Sequence, residues 1–312
     1  MRKILLISLF LSLNLWATFK PIDFMPDHYK TKKYMSVEIL DSVEFTDETF
    51  KKYDITEISG LSYRIADHTL YAISDNGFLY HLDFEISKGK IAILDVRNVF
   101  KLRDFDGKKF KKKKRDAEGL IHNNEGVIVS FERDPRVTLF SFDGKAKKSY
   151  EINRDLRDIK NYQTKNRALE SLVLHPKFGM LTAPETPLKH ERSEIHTIYS
   201  KSKTWKFDGD GSITGMELMD DDSLLVMERA FNGVTLQRIV TLKKVFLDRC
   251  NQHNKCYSRK VAEFNSDDGW HVDNFEGLTK IVGDYFIMIS DDNDSLFQKC
   301  MVVLFKVDET QE

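Results

Sequence analysis

The stretch that decides the fold is Asp116-Ala-Glu-Gly-Leu-Ile121, followed by Gly126-Val-Ile-Val-Ser-Phe-Glu-Arg133 and then Val137-Thr-Leu-Phe-Ser-Phe142. Three short runs rich in β-branched and aromatic residues, separated by turn-forming residues, read as three successive strands. Working outward, the same order recurs. Glu57-Ile-Ser-Gly-Leu-Ser-Tyr63 leads to Leu70-Tyr-Ala-Ile-Ser-Asp75, and Ala168-Leu-Glu-Ser-Leu-Val173 leads to Gly179-Met-Leu-Thr-Ala-Pro-Glu185. Ser212-Ile-Thr-Gly-Met-Glu217 leads to Ser223-Leu-Leu-Val-Met-Glu-Arg229, and Asn274-Phe-Glu-Gly-Leu-Thr279 to Tyr285-Phe-Ile-Met-Ile-Ser-Asp291.

Five copies are therefore visible, marked by Gly60, Gly119, Ser171, Gly215 and Gly277. A unit of three or four antiparallel strands cannot bury both faces alone, and radial stacking covers them, so this repeat predicts an all-β propeller. At about 45 residues per blade the chain length suggests about six four-stranded blades. The sixth is expected from a degenerate stretch such as Ile195–Trp205, or from the two termini closing the ring. Helical periodicity is weak outside the N-terminus.

The first strand of each copy runs away from its marker and the second returns antiparallel. Both ends of the hairpin therefore lie at one face of the blade and converge on the mouth of a central channel. The residues just before the markers are Ser59, Glu118, Glu170, Thr214 and Glu276; those closing the return strands are Asp75, Glu132, Glu185, Glu228 and Asp291. Eight of these ten are carboxylates, in a chain where 49 of 312 residues are Asp or Glu. So many acids directed at one axis repel one another unless cations lie among them. Arg133 and Arg229, each directly after a Glu, supply part of that charge. A hard divalent cation, Ca2+, suits the rest, because it takes several carboxylate oxygens in flexible geometry. The expected metal ligands are Glu118, Glu170, Glu276, Asp75, Glu185, Asp291, Asp292 and Asn293, with Asn76 and His271 beside them. Solvated acids at strand ends are the competing reading.

Of 312 residues 41% are hydrophobic, enough for a sizeable core. Basic and acidic side chains number 48 and 49, a balance that argues against nucleic acid as the partner. Arg2 and Lys3 precede the apolar run Ile4–Leu15, and Ala17 follows, the pattern of a cleavable secretory signal over residues 1–17. A lead-in over residues 18–54, a propeller over 55–307 and a tail over 308–312 complete the expected organisation. No later segment approaches membrane-spanning length, so a periplasmic or secreted protein without stable membrane insertion is expected. In an oxidising compartment Cys250 and Cys256 could close a small disulfide, metal binding being the weaker alternative; Cys300 reads as a buried thiol. The run Lys108–Arg115 reads as a solvated insertion that could overhang the mouth, and Asp208-Gly-Asp-Gly-Ser212 as a tight turn before a blade rather than a calcium loop. There is no Gly-x-Ser-x-Gly elbow, Walker loop or His-Glu-x-x-His.

Taken in order, Glu57-Ile-Ser-Gly-Leu-Ser62, Asp116-Ala-Glu-Gly-Leu120, Val129-Ser-Phe-Glu-Arg133, Ile213-Thr-Gly-Met216, Leu225-Val-Met-Glu-Arg229, Asn274-Phe-Glu-Gly-Leu278 and Ile289-Ser-Asp-Asp-Asn293 resemble the bacterial phytase-like family, "esterase-like activity of phytase". That resemblance implies an exported β-propeller that hydrolyses phosphate or carboxylic esters. The third copy departs from the pattern, with Ser171 at the marker and Pro184 before Glu185.

Three functions compete on this reading. The first is hydrolysis of a small anionic ester, with Glu132 or Glu228 as base, Arg133 and Arg229 holding the substrate's charge, His271 assisting, and Ca2+ activating water. The second is a non-catalytic propeller that binds a ligand or partner. The third is lactone hydrolysis of the gluconolactonase kind, for which asparagines are few.

Overall fold

The computed structural model describes residues 19–45, 49–50, 53–292 and 298–308. The expected signal segment and Asn293 lie outside the described residues. The chain forms a β-propeller of five four-stranded blades. Blade 1 runs Ile58–Arg64, Thr69–Ser74, Phe78–Ser87 and Lys90–Lys101, from the axis outward. Blades 2, 3 and 4 repeat this over residues 117–150, 169–208 and 212–265. Blade 5 takes its inner strands from Asn274–Val282, Tyr285–Asp291 and Met301–Val307, and its fourth from Val37–Phe45 within the lead-in.

Among the described residues there is no sixth blade, and both of its expected sources have another place. Ile195–Tyr199 and Thr204–Asp208 are the two outer strands of blade 3. The termini do close the ring, but inside blade 5, where Val302 pairs with Val43 and Phe305 with Ile39. Long outer strands, such as Phe78–Ser87, Lys90–Lys101 and Gln237–Cys250, absorb the residues that a uniform repeat would assign to another blade.

Packing explains why the second strands are apolar on both faces. The buried side chains form five clusters, one at each seam between neighbouring blades. Side chains alternate across a strand, so successive residues serve opposite seams. In blade 4, Leu224 and Val226 pack towards blade 3 while Leu225 and Met227 pack towards blade 5. In blade 5, Phe286 and Met288 face blade 4, and Ile287 and Ile289 face blade 1.

The innermost strands touch in a closed ring of five around the axis. Five blades leave little room there, which accounts for the glycine markers. A Cβ on Gly60 would lie 2.2 Å from the Glu118 carbonyl oxygen of the next blade, and one on Gly119 2.9 Å from the Ser171 backbone. The axial space below the markers is ≈ 10 Å3, about one water. Among the described residues the axis at this level has room for no more than that water.

Cys250 and Cys256 form a disulfide joining the two outer strands of blade 4, and Cys300 is a buried free thiol. Asp208–Ser212 is the link between blades 3 and 4, with Asp210 paired to Lys243 at 3.1 Å and Lys260 at 3.2 Å. No helix among the described residues is long and apolar enough to cross a membrane.

Candidate functional site

Each innermost strand carries a β-bulge at the residue before its marker. The ladder shifts register between Ile58 and Gly60, Ala117 and Leu120, Leu169 and Ser171, Ile213 and Gly215, and Phe275 and Gly277. A bulge inserts one unpaired residue and re-aims side chains. The inserted residues are Ser59, Glu118, Glu170, Thr214 and Glu276, so the first column of the sequence pattern is a ring of bulges.

The register also fixes the second column. The residues closing the return strands face positions 57, 116, 168, 212 and 274: Asp75 N–H bonds Glu57 O at 3.2 Å, Glu132 N–H bonds Asp116 O at 3.0 Å, and Glu185 N–H bonds Ala168 O at 2.8 Å. In blade 5 Asp291 pairs with Asn274. In blade 4 the residue opposite Ser212 is Arg229, and Glu228 pairs instead with Ile213. The column is therefore Asp75, Glu132, Glu185, Arg229 and Asp291, which corrects the assignment of Glu228 by one residue.

One residue is enough to reverse a side chain's direction. Glu228 is wholly buried at the seam between blades 3 and 4, 3.0 Å from Lys243 Nζ and 3.5 Å from His196 Nε2, and it accepts from the Asp210 amide at 3.1 Å. Burial pushes its carboxyl up to about 7 although Lys243 opposes that. This is an internal ion network, not part of the mouth. His271 is also elsewhere: its ring bonds the Asp23 carbonyl and its side chain is exposed. Asp292 accepts from the Glu57 amide at 3.1 Å, fastening blade 5 to the entry of blade 1.

Five acids gather in two overlapping groups, which Asp75, Glu276 and Asp291 do not join. One oxygen from each of Asp116, Glu118 and Glu132 lies within 4.8 Å of the others, and the same holds for Glu132, Glu170 and Glu185. Glu132 belongs to both groups. All five are buried, Glu118 at 8% exposure and Glu170 at 7%. Burial first, then Glu170, Glu132, Glu276 and Asp116, pushes Glu118 well above the usual carboxylate range. Burial and then Glu185, Glu276 and Glu132 do the same to Glu170. Glu132 is pushed up to about 9 by burial and the charges of Asp116 and Glu185. Asp75 rises to about 7 through burial and the charges of Glu57 and Asp116, and its Oδ1 is buried without a hydrogen-bond partner among the described residues.

Two arginines offset part of this charge. Arg229 Nη1 donates to Glu276 Oε1 at 2.7 Å and also to Asn274 Oδ1, while Asn274 Nδ2 reaches Glu276 Oε1 at 2.9 Å and Asp291 Oδ2 at 3.2 Å. Arg133 pairs with Asp116. Arg115, the last residue of the basic run, donates to Asn76, and Lys114 lies 3.7 Å from Asp134, so that run does end at the mouth.

The acid groups fit a hard divalent cation. Ca2+ holds oxygens at about 2.3–2.6 Å, so several ligands on one ion span just the separations seen here. Thr214 Oγ1, buried at the same axis, also lacks a partner among the described residues. Reading the sequence alone passed over Glu57, Asp116 and Asn274 as a third column. The signal was available: each lies two residues before the bulge, on the same side of its strand.

A propeller of five blades with a ring of buried carboxylates at one face is the class of protein that this fold and site define. The chain belongs to the phytase-like family, described as "esterase-like activity of phytase", which matches residues 54–294. No curated protein matches it. Among solved structures, it is similar to the PQQ-bound form of aldose sugar dehydrogenase from Streptomyces coelicolor, at 10% identity and a TM-score of 0.47, covering 88% of this chain and 98% of that one. It is also similar to the RRP9 WD40 repeats, at 9% identity and a TM-score of 0.46, covering 87% of this chain and 97% of that one.

Proposed function

We propose that this protein is an exported hydrolase of phosphate or carboxylic esters that works at the acidic face of its propeller, with Ca2+ held by Asp116, Glu118, Glu132, Glu170 and Glu185. The observation that carries this reading is the sharing of Glu132 between two groups of carboxylates, each of the size one cation needs. Bound there, the ion would supply Lewis-acid polarisation of the ester oxygen and a more acidic water.

The chain's own residues have distinct tasks in this reading. Arg133, partly exposed beside Asp116, and Arg229 hold the anionic end of the substrate. Asp75 Oδ1 takes a proton from the attacking water and returns it to the leaving alkoxide. The oxygen of water becomes bonded to phosphorus or to the acyl carbon, the alkoxyl bond breaks, and an acid and an alcohol leave. Glu132 is then a ligand and not a base, and Glu228 has no catalytic part.

Turnover of p-nitrophenyl phosphate and p-nitrophenyl acetate, with calcium and with chelator, tests this. Calcium-dependent release of nitrophenol, lost in Glu118→Gln and Asp75→Asn, is the expected result. No turnover of either ester, alongside intact calcium binding, would leave the ring as the ligand site of a non-catalytic propeller.

A further inference from the structure

Beside the acid ring, between blades 3 and 4, lies a pocket of ≈ 820 Å3. Glu185 and Arg229 bring the ring to its wall, and Arg167 and Ser212 add polar groups. Pro187, Ala230 and Phe231 add apolar surface to a wall that also carries Gln163, Ser193 and Asp210. The volume lies at the upper end of the ≈ 300–1,000 Å3 typical of pockets for whole small molecules, well beyond the needs of a bare anion.

Phe231 reaches this place because blade 4 has an overlong hairpin. Its innermost strand begins at Ser212, opposite Arg229. The next two strands continue past that point through Ala230–Ile239, Phe231–Arg238 and Asn232–Gln237. The extension therefore projects from the mouth face. Its turn is ordered by Leu236 N–H to Asn232 O at 2.8 Å and Val234 N–H to Asn232 Oδ1 at 3.0 Å. The Arg238 guanidinium lies 5.5 Å from the Phe231 ring centre and braces it. Phe231 is nevertheless 57% exposed, an aromatic surface two residues along the strand from the arginine of the ring.

We infer that the site takes phosphate monoesters carrying an apolar alkyl or aryl arm, Arg229 meeting the phosphate and Phe231 the arm. This rests on the reading of the mouth as an anionic-ester site. Phe231 is then a specificity-determining residue: it distinguishes esters by their alcohol and leaves the phosphate contacts alone.

Calorimetric binding of hexyl phosphate and methyl phosphate to the calcium-loaded full chain tests this without requiring turnover. Wild type is expected to bind hexyl phosphate about tenfold more tightly than methyl phosphate, the worth of some tens of Å2 of buried apolar surface. Phe231→Ser, at an exposed position that folding does not depend on, should abolish that difference and leave methyl phosphate unchanged. Val234→Ser, at the same hairpin tip but outside the pocket, should preserve it. Equal affinity for both probes in wild type, or a difference that survives Phe231→Ser, overturns the inference while the ester reading stands. Failure of both probes to bind wild type overturns the two together, and Arg229→Gln should weaken both probes alike if the ester reading holds.

Discussion

Arg229 reaches across the seam from blade 4 to blade 5 and donates to Glu276 Oε1 at 2.7 Å. It is the one cation in a column that is otherwise acidic, and it stands where the other four blades place Asp75, Glu132, Glu185 and Asp291. Burial works against its charge, but Glu276, Glu170 and Glu185 outweigh that and hold it firmly protonated.

Removing that cation should therefore destabilise the ring. Arg229→Met leaves Glu276 without its partner and should cost about 2–3 kcal/mol in urea unfolding, less than a fully buried pair because both groups retain some solvent. The double variant with Glu276→Gln should recover most of the loss. Additive losses in the double variant would show that the pair does not act as a unit.

The acid ring predicts a pH dependence with a definite sign. Glu132, at about 9, and Asp75, at about 7, bind protons more tightly folded than unfolded, where carboxyls titrate near 4. Their favourable contribution is complete below the unfolded values and is lost as pH rises through the folded ones. In chelator, the melting temperature should fall between about pH 5 and 9, with a slope of order 1 kcal/mol per pH unit for each titrating group. Millimolar calcium should flatten the curve, since the ion replaces the protons. A melting temperature that climbs with pH in chelator would contradict the burial of these groups.

Calcium should separate Glu118 and Glu170 from Glu228, which the sequence pattern placed together. Glu118→Gln and Glu170→Gln should lose the calcium-induced rise in stability, about 2.7 kcal/mol when calcium is at a hundred times its dissociation constant. Glu228→Gln, at the Lys243 network, should keep that increment whatever it does to the baseline. Differential scanning calorimetry reads both quantities, and loss of the increment in Glu228→Gln would undo the register argument.

Gly60 should tolerate no side chain. A Cβ there meets the Glu118 carbonyl at 2.2 Å, a backbone atom of a neighbouring blade that cannot swing away. Gly60→Ala should cost about 3 kcal/mol or more, in the upper range for overpacking. Gly233→Ala, in the exposed hairpin turn of blade 4, should stay within about 0.5 kcal/mol. Similar denaturation midpoints for the two variants would refute the crowding at the axis.

Much of this was legible in the chain because repetition is a one-dimensional signal. The markers, the strands beside them and the acids at Glu118, Glu170 and Glu276 recur at corresponding positions, and alternation alone puts both ends of each hairpin at one face. The disulfide partners were legible for a similar reason, being six residues apart on either side of a polar turn. His271 misled because nearness in sequence to Asn274 does not survive the turn into blade 5. Glu228 misled because two adjacent residues, Glu228 and Arg229, competed for one column.

By itself, then, the sequence determined a radial repeat of antiparallel strands and a concentration of carboxylates at one end of its hairpins, since both depend only on periodicity and composition. The blade number, the identity of Arg229 as the fifth member of the column, and the sharing of Glu132 between two groups were decided by the tertiary structure alone. Ring closure depends on how many seams the chain can bury, with Val37–Phe45 completing blade 5 from the far end of the sequence. A single bulge residue per innermost strand reverses the direction of every side chain after it, and only the pairing of the strands reveals where it falls.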